Sequence, residues 1–303
     1  LRIAIGPSSF AAVDSAPLDR LLGSGFEVVP NPFGRRLDEQ EITAHLVDID
    51  GLIAGLEPLN RAVLSTADGL RAIARVGVGT DTVDLVAAEE LGIRVSNTPA
   101  APASAVAEAT VGAMVSLCRA FPVANAALHD GRWEKIIGRS LSEAIVLIVG
   151  YGRIGQEVAS LLRAFGATVL ACDPNLDHER LDGAVESSFE EGLRQADVIT
   201  LHAGGSTPIL DADAFAEMSP GAVVLNSGRG ELIDEPSLIA ALDSGIVAGA
   251  WLDVFSSEPY VGPLAQYEQV ILTPHMATYT RQTRRQMELE AVENLIRDLQ
   301  RPM

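Results

Sequence analysis

Three apolar runs in the second half of this 303-residue chain each end in a potentially reactive side chain. Arg229 follows the run 223–225, inside Asn226-Ser227-Gly228-Arg229-Gly230. Glu258 lies just after the run 249–252, and His275 follows 270–272 behind Thr273 and Pro274. Together these three types suit proton-coupled reduction of a carbonyl. A guanidinium holds a carboxylate in a two-pronged geometry that an ammonium does not match. An imidazole gives and takes a proton near neutral pH, and a carboxylate beside it orients the ring and favours its charged form. Taken singly, Arg229 is a residue on a turn and Glu258 an ordinary loop residue. All three together fall at strand ends, and ligands of an open parallel sheet bind outside the carboxyl ends of its strands.

A fourth segment supplies the partner for such chemistry. The apolar run 144–149 is followed by Gly150, Gly152 and Gly155 in G-x-G-x-x-G spacing, then by helix periodicity over 156–162 and a second apolar run, 167–172, ending at Asp173. Strand, glycine turn, helix, strand and acid in that order predict a dinucleotide site. Gly150 permits the tight turn, Gly152 lets a pyrophosphate approach the backbone, and Gly155 lets helix and strand pack closely. The helix N-terminus offers N–H groups and partial positive charge to the phosphates. Asp173 suits the two ribose hydroxyls and would repel a 2′-phosphate. Pro174 and Asn175 supply no cation to bind one, so the expected cofactor is NAD rather than NADP.

The elements that must position these groups alternate along the chain. Strand signals at 2–5, 26–29, 51–54, 72–76 and 93–96 are separated by helical stretches at 18–22, 39–47, 61–67 and 83–91. A second alternation runs from 144 to 275, with strands at 198–201, 223–225, 249–252 and 270–272 and helices at 187–195 and 236–242. The fold class expected is α/β, with two doubly wound parallel-sheet domains. An Ala-rich helix, 103–119, joins them, and a final helix, 281–299, crosses back to the first. The expected division is a smaller flavodoxin-like substrate domain, 1–97 completed by 279–303, and a Rossmann NAD-binding domain, 98–278. A substrate cleft between the two is expected.

Composition narrows the partners. With 48% hydrophobic and 21% charged residues the chain reads as globular, and its net charge of −19 argues against nucleic acid as a partner. An anionic substrate must therefore be drawn in by a local cluster of Arg and N–H groups. Cys118 and Cys172 sit in apolar segments without metal or redox spacing, so they read as core residues, no metal site is expected, and a reducing cytoplasm is the default location. No apolar run approaches ~18 residues, so no membrane span is expected. Residues 1–6 read as a first strand and not as a signal peptide. His202 ends a strand near the cofactor turn and reads as structural, and His45, His129 and His178 as structural or solvent-facing. Trp133 and Trp251 read as packing residues, and Asp211 and Asp213 as a helix start.

Beyond the individual residues, nearly the whole chain resembles the D-isomer-specific 2-hydroxyacid dehydrogenases, most of all the 3-phosphoglycerate dehydrogenases among them. The resemblance is carried, in order, by Arg75-Val76-Gly77-Val78-Gly79-Thr80-Asp81, Asn97-Thr98-Pro99, the glycine turn, Asn226 to Gly230, Ile233-Asp234-Glu235, the segment 253–259 and Thr273-Pro274-His275. It implies an NAD-dependent interconversion of a D-2-hydroxy acid and its 2-oxo acid. Arg229 would bind the substrate carboxylate and polarise the carbonyl, with His275 and Glu258 as the acid–base pair. Asp253 would hold the nicotinamide carboxamide, with Ala203, Ser227 and Gly228 lining that half of the cofactor. Arg153 and Ile154 would lie along the pyrophosphate. The loop of Val76, Gly77, Val78 and Gly79 would offer N–H groups to the substrate carboxylate, with Arg75 as an extra anion contact. The segment 103–141 would form the arm of a homodimer.

Departures from the family pattern bear on the substrate more than on the reaction. Phosphoglycerate-specific members often carry Arg-Ser where this chain has Gly55-Leu56, so a substrate contact expected at Gly55 lacks its cation. Ala203-Gly204-Gly205 lacks a common Pro, Met276 and Ala277 stand where a glycine is usual, and Pro102 where a polar residue is frequent. The substrate thus stays open among 3-phosphoglycerate, hydroxypyruvate or glyoxylate, and a specialised biosynthetic 2-hydroxy acid. The chain ends soon after the last helix, so no appended regulatory domain is expected within it. An NADH-sensing interaction protein on the same fold is the alternative of another class. A formate or phosphite dehydrogenase is a third, and Glu258 argues against the formate enzymes, which generally use Gln there.

Overall fold

The computed structural model describes residues 1–301; the end of the expected C-terminal segment, Pro302 and Met303, lies outside the described residues. The chain divides into two compact units, Leu1–Pro102 with the chain from Tyr279 onward, and Ala103–Thr278. The first join falls at Pro102, not at residue 97, because Thr98 is tied into unit 1. Its hydroxyl accepts the Gly77 N–H at 2.9 Å and its own N–H donates to the Gly77 carbonyl, also at 2.9 Å.

Unit 1 holds strands β1 (Arg2–Ile5), β2 (Glu27–Val29), β3 (Gly51–Ala54), β4 (Ala72–Arg75) and β5 (Arg94–Ser96), all parallel, in the order β2-β1-β3-β4-β5. That is the flavodoxin-like order. Helices α1 (Ala16–Gly23), α2 (Glu39–His45), α3 (Arg61–Leu64) and α4 (Leu85–Glu90) connect these strands. Their starts are written locally. Asp38 and Glu41 form a reciprocal capping box on α2, and Asn60 and Asp84 accept N–H bonds at the starts of α3 and α4. Alternate strand residues feed opposite cores: Ala4, Leu52 and Ala54 pack on one side, Ile3, Ile5 and Ile53 on the other.

Unit 2 opens with α5 (Ala103–Cys118) and α6 (Phe121–His129), which precede the seven-stranded sheet. Its strands are β6 (Ile145–Val149), β7 (Thr168–Cys172), β8 (Val185–Glu186), β9 (Val198–Leu201), β10 (Ala222–Asn226), β11 (Val247–Leu252) and β12 (Val270–Leu272). All pairings are parallel and the order is β12-β11-β10-β9-β6-β7-β8. The chain turns one way from β6 to β7 and the other way to β9, which makes the end of β6 the switch point of a Rossmann sheet. Leu147 and Val149 face one core, Val146 and Ile148 the other, as a sheet covered on both sides requires. The crossovers include α7 (Arg153–Ala164), α8 (Phe189–Gln195), α9 (Ala212–Ala216) and α10 (Glu235–Ser244). The last helix, α11 (Arg281–Gln300), belongs to unit 1 and packs on α1, β3 and β4.

The stretch after α6 departs from expectation. Trp133, read as a packing residue, is 80% exposed, and Ile137 is 100% exposed. Residues 132–140 form no helix or strand, so neither period tells which side of this segment faces a core. Trp251, by contrast, is buried in β11 and its indole N–H donates to the Thr273 hydroxyl at 2.9 Å. Both cysteines are free, and burial raises both thiols above their ordinary pKa.

Candidate active site

The glycine turn leaves β6 where Gly150 takes φ +91°, a conformation that favours glycine. A Cβ there would lie 2.6 Å from the Ala203 nitrogen, so the turn is pressed against the end of β9. A Cβ at Gly155 would lie 2.3 Å from the Gly150 carbonyl oxygen, which is the close helix–turn packing expected of the third glycine. Gly152 differs. It is the N-cap of α7, no side chain caps it, and the space in front of its Cα is open. The first-turn N–H groups, at Arg153, Ile154 and Gly155, thus face a region where a pyrophosphate fits. The Asp173 carboxylate at the end of β7 is aimed by two backbone bonds, from the Tyr151 N–H at 2.7 Å and the Asn175 N–H at 2.8 Å. Its remaining lone pairs suit ribose hydroxyls. The residues present fit NAD.

The reactive side chains sit on the loops after β10, β11 and β12. His275 Nδ1 lies 3.1 Å from Glu258 Oε2, and the other Glu258 oxygen accepts the Phe255 N–H at 3.1 Å. The carboxylate is thereby fixed at one end by backbone and orients the imidazole with the other. His275 itself has φ +52°, the left-handed region, where histidine is over-represented among non-glycine residues. Its N–H donates to the carbonyl oxygens of Asp253 at 2.8 Å and Thr273 at 2.9 Å, which hold that conformation. Arg229 Nη1 donates to the Gly228 carbonyl at 2.7 Å. A Cβ at Gly230 would fall 1.9 Å from the Phe255 carbonyl carbon, so only glycine lets the arginine loop lie against the Glu258 loop.

Asp253 has a task that the sequence does not disclose. It is 2% exposed, and its carboxylate accepts the Thr273 hydroxyl at 2.6 Å and the N–H groups of Met276 and Ala277, each at 2.9 Å. These bonds hold the loop that carries His275, so most of the acceptor capacity expected to serve a carboxamide is already engaged. Asn226, named from sequence only as the first residue of its motif, has a structural task. Buried at the end of β10, it donates to the Arg229 carbonyl at 2.7 Å and accepts the Gly228 N–H at 3.0 Å, shaping the Ser227–Arg229 turn. A polar residue closing an apolar strand was its one visible signal.

His202 is held between the Thr200 hydroxyl at 3.0 Å and the Ser227 hydroxyl at 3.1 Å, and burial pushes its pKa down to about 3. It is a neutral bridge between the ends of β9 and β10. His45 bonds the Ile5 carbonyl, while His129 and His178 are exposed. Asp211 caps α9 through the Ala214 N–H, with Asp213 in its first turn.

In unit 1 the loop after β4 corrects the expected donor set. Val76 N–H donates to the Ala54 carbonyl and Gly77 N–H to Thr98, so both are spent inside the unit. Among the described residues, the N–H groups of Val78 and Gly79 make no such bond. Arg75 is buried, donates to the Val76 carbonyl and lies against Gly77. It is thus an interior cation of the loop rather than an outward anion contact, because Gly77, at φ +146° and without a side chain, leaves room for its guanidinium.

Comparison with known proteins fits this architecture. The sequence model for the NAD binding domain of the D-isomer specific 2-hydroxyacid dehydrogenases matches residues 111–277. Human D-3-phosphoglycerate dehydrogenase is 36% identical over 271 residues, 86% of this chain but 50% of that protein. The chain thus spans about half the length of the phosphoglycerate dehydrogenases it matches. Hydroxypyruvate reductase of Thermotoga maritima is 33% identical over 278 residues, covering 87% of this chain and 89% of that one. The structure of a glyoxylate reductase from Paecilomyes thermophila superposes with a TM-score of 0.88 at 30% identity, over 99% of this chain and 95% of that one. Identity at this level, spread across both units on one shared topology, reflects common descent and not only a common fold: the chain belongs to the D-isomer specific 2-hydroxyacid dehydrogenases.

Proposed function

We propose that the protein is an NAD-dependent oxidoreductase that interconverts a D-2-hydroxy acid and its 2-oxo acid. The observation that carries this reading is the His275–Glu258 pair at 3.1 Å, set on strand-end loops of the same sheet that carries the dinucleotide turn. Bound NAD supplies or accepts the hydride. Arg229 grips the substrate carboxylate and polarises the carbonyl. His275 delivers a proton to the carbonyl oxygen in reduction and removes it from the hydroxyl in oxidation. Glu258 keeps the ring aimed through its 3.1 Å contact with Nδ1.

The working form is a homodimer in the cytoplasm. The exposure of the apolar side chains Phe121, Leu128, Trp133, Ile136 and Ile137 within 103–141 supports the first part, since exposed apolar surface marks an interaction site. Two unpaired cysteines support the second. The test is oxidation of NADH by the purified protein with glyoxylate, hydroxypyruvate and 3-phosphohydroxypyruvate, with NADPH in parallel. Turnover with NADH and little with NADPH is the expected result. Tight NADH binding with no turnover on any 2-oxo acid would favour a dinucleotide-sensing role instead.

A further inference from the structure

A tyrosine outside the reacting group fastens the loop that carries Glu258. After β11 ends at Leu252, residues 253–262 form neither helix nor strand. Contacts other than a repeating backbone ladder must therefore fix them. Tyr260, two residues past Glu258, makes such contacts. Its ring stacks on Phe255, with centroids 4.3 Å apart and planes inclined by 21°. Its hydroxyl donates to Glu235 Oε1 at 3.0 Å and accepts the Leu264 N–H at 3.3 Å. Gly262 leaves the room, because a Cβ there would collide with the phenol oxygen. Burial raises the phenol's pKa and the Glu235 carboxylate adds to the rise, so the hydroxyl stays a donor.

Phe255 links this tyrosine to the acid–base pair. Its N–H donates to Glu258 Oε1 at 3.1 Å, its backbone lies against Gly230, and its ring lies on Tyr260. The other Glu258 oxygen is the one 3.1 Å from His275 Nδ1. Glu235 is the first residue of α10, which follows the turn that carries Arg229. A phenol held at its face by stacking and at its oxygen by a charge-assisted bond has one orientation. It joins the Glu258 loop to the start of α10 and leaves Phe255 one place to sit. We infer that Tyr260 is a positioning residue for the reaction: anchored on Glu235 and acting through Phe255, it holds the Glu258 carboxylate in place against His275. It works on Glu258 and not on the substrate. The inference rests on the dehydrogenase reading above and adds to it the residue that keeps its acid–base pair aligned.

The experiment uses Tyr260→Phe, which keeps the ring on Phe255 and removes the hydroxyl, alone and in a Glu258→Gln background. Reduction of glyoxylate and hydroxypyruvate with NADH is followed, with NADH binding and the thermal midpoint as checks on folding. Tyr260→Phe should lower kcat about 10-fold and leave KM for the 2-oxo acid within about a factor of two, because alignment is lost while Arg229 is untouched. Glu235→Ala should reproduce that loss, and Glu235→Gln, which keeps an oxygen for the phenol, should restore most of the activity. Added to Glu258→Gln, Tyr260→Phe should cost less than a further ~2-fold, since residues acting through one another are not additive. A fully additive loss in the double variant overturns the inference, and so does a folded Tyr260→Phe with the wild-type kcat. Histidine-labelled NMR supplies a readout that needs no turnover. The His275 ring signals, assigned by their loss in His275→Gln, should move in Tyr260→Phe in the direction they move in Glu258→Gln. That movement in a protein with no turnover on any 2-oxo acid would uphold Tyr260 and reject the dehydrogenase reading. Turnover with the His275 signals unmoved would reject Tyr260 alone.

Discussion

Each reactive side chain here depends on a neighbour that fixes it. His275→Ala should lower kcat/KM by ~10²–10⁴, the usual worth of a general acid, with NADH binding little changed; a variant within a factor of two of the wild type would remove His275 from the mechanism. Arg229→Lys should weaken carboxylate binding because an ammonium lacks the planar fork, and it would show as a raised KM for the 2-oxo acid. His202 makes a prediction of another kind. Its folded pKa, about 3, is below the ordinary histidine value, so the unfolded chain takes up the proton first. The stability it carries is full above about pH 6.5 and is lost as pH falls toward 3, at up to about 1.4 kcal/mol per pH unit. Urea midpoints at pH 7, 6 and 5 should therefore fall less steeply for His202→Gln than for the wild type, and parallel profiles would contradict the assignment.

At the scale of elements, α11 is the piece whose placement matters most to unit 1. Its Glu288, buried, bonds Arg284 Nη2 at 2.6 Å and accepts the Ala11 N–H at 2.9 Å, so one carboxylate ties the helix to the loop after β1. Glu288→Ala leaves a buried guanidinium without its partner and should cost about 3–5 kcal/mol of stability. Replacing both, Arg284→Met with Glu288→Leu, should recover most of that loss, and chemical denaturation distinguishes the two outcomes. Most elements were legible because their starts and periods are local. Asp38, Asn60 and Asp84 announce their helices, and the apolar runs of β6 and β9 announce buried strands. The short β8 has both residues exposed, and the length of α3 was overread because its bonding tightens past Leu64, where the Thr66 and Ala67 N–H groups reach back only three residues, to Val63 and Leu64.

For the molecule as a whole, the open question is the second copy. An arm with Ile137 fully exposed and Trp133 nearly so leaves apolar surface in water that association would remove. Sedimentation should show a dimer for the wild type and a monomer for Ile137→Glu, with the thermal midpoint of the monomer showing that each chain still folds. A monomeric wild type at micromolar concentration would dismiss the arm as an interface. The net charge of −19 sets the background against which any substrate anion is bound. Under the proposed function, attraction comes from Arg229 at short range, where the global field counts less than local geometry.

Sequence alone placed most of the strands and helices, the glycine turn with its acid, and the Arg, Glu and His at strand ends. All of these rest on local pattern: a period, a spacing, or a side chain closing an apolar run. Only the tertiary structure decided which polar atoms remain available. Val76 and Gly77 looked like substrate donors until Ala54 and Thr98 were seen to take their N–H groups. Asp253 also carries the loop of His275, a task no motif announces. Glu57 carried no motif at all, because it is buried in room left by the glycines that follow two different strands. Hydrogen-bond capacity and buried charge are shared among residues far apart in the chain, and no one-dimensional pattern records how they are divided.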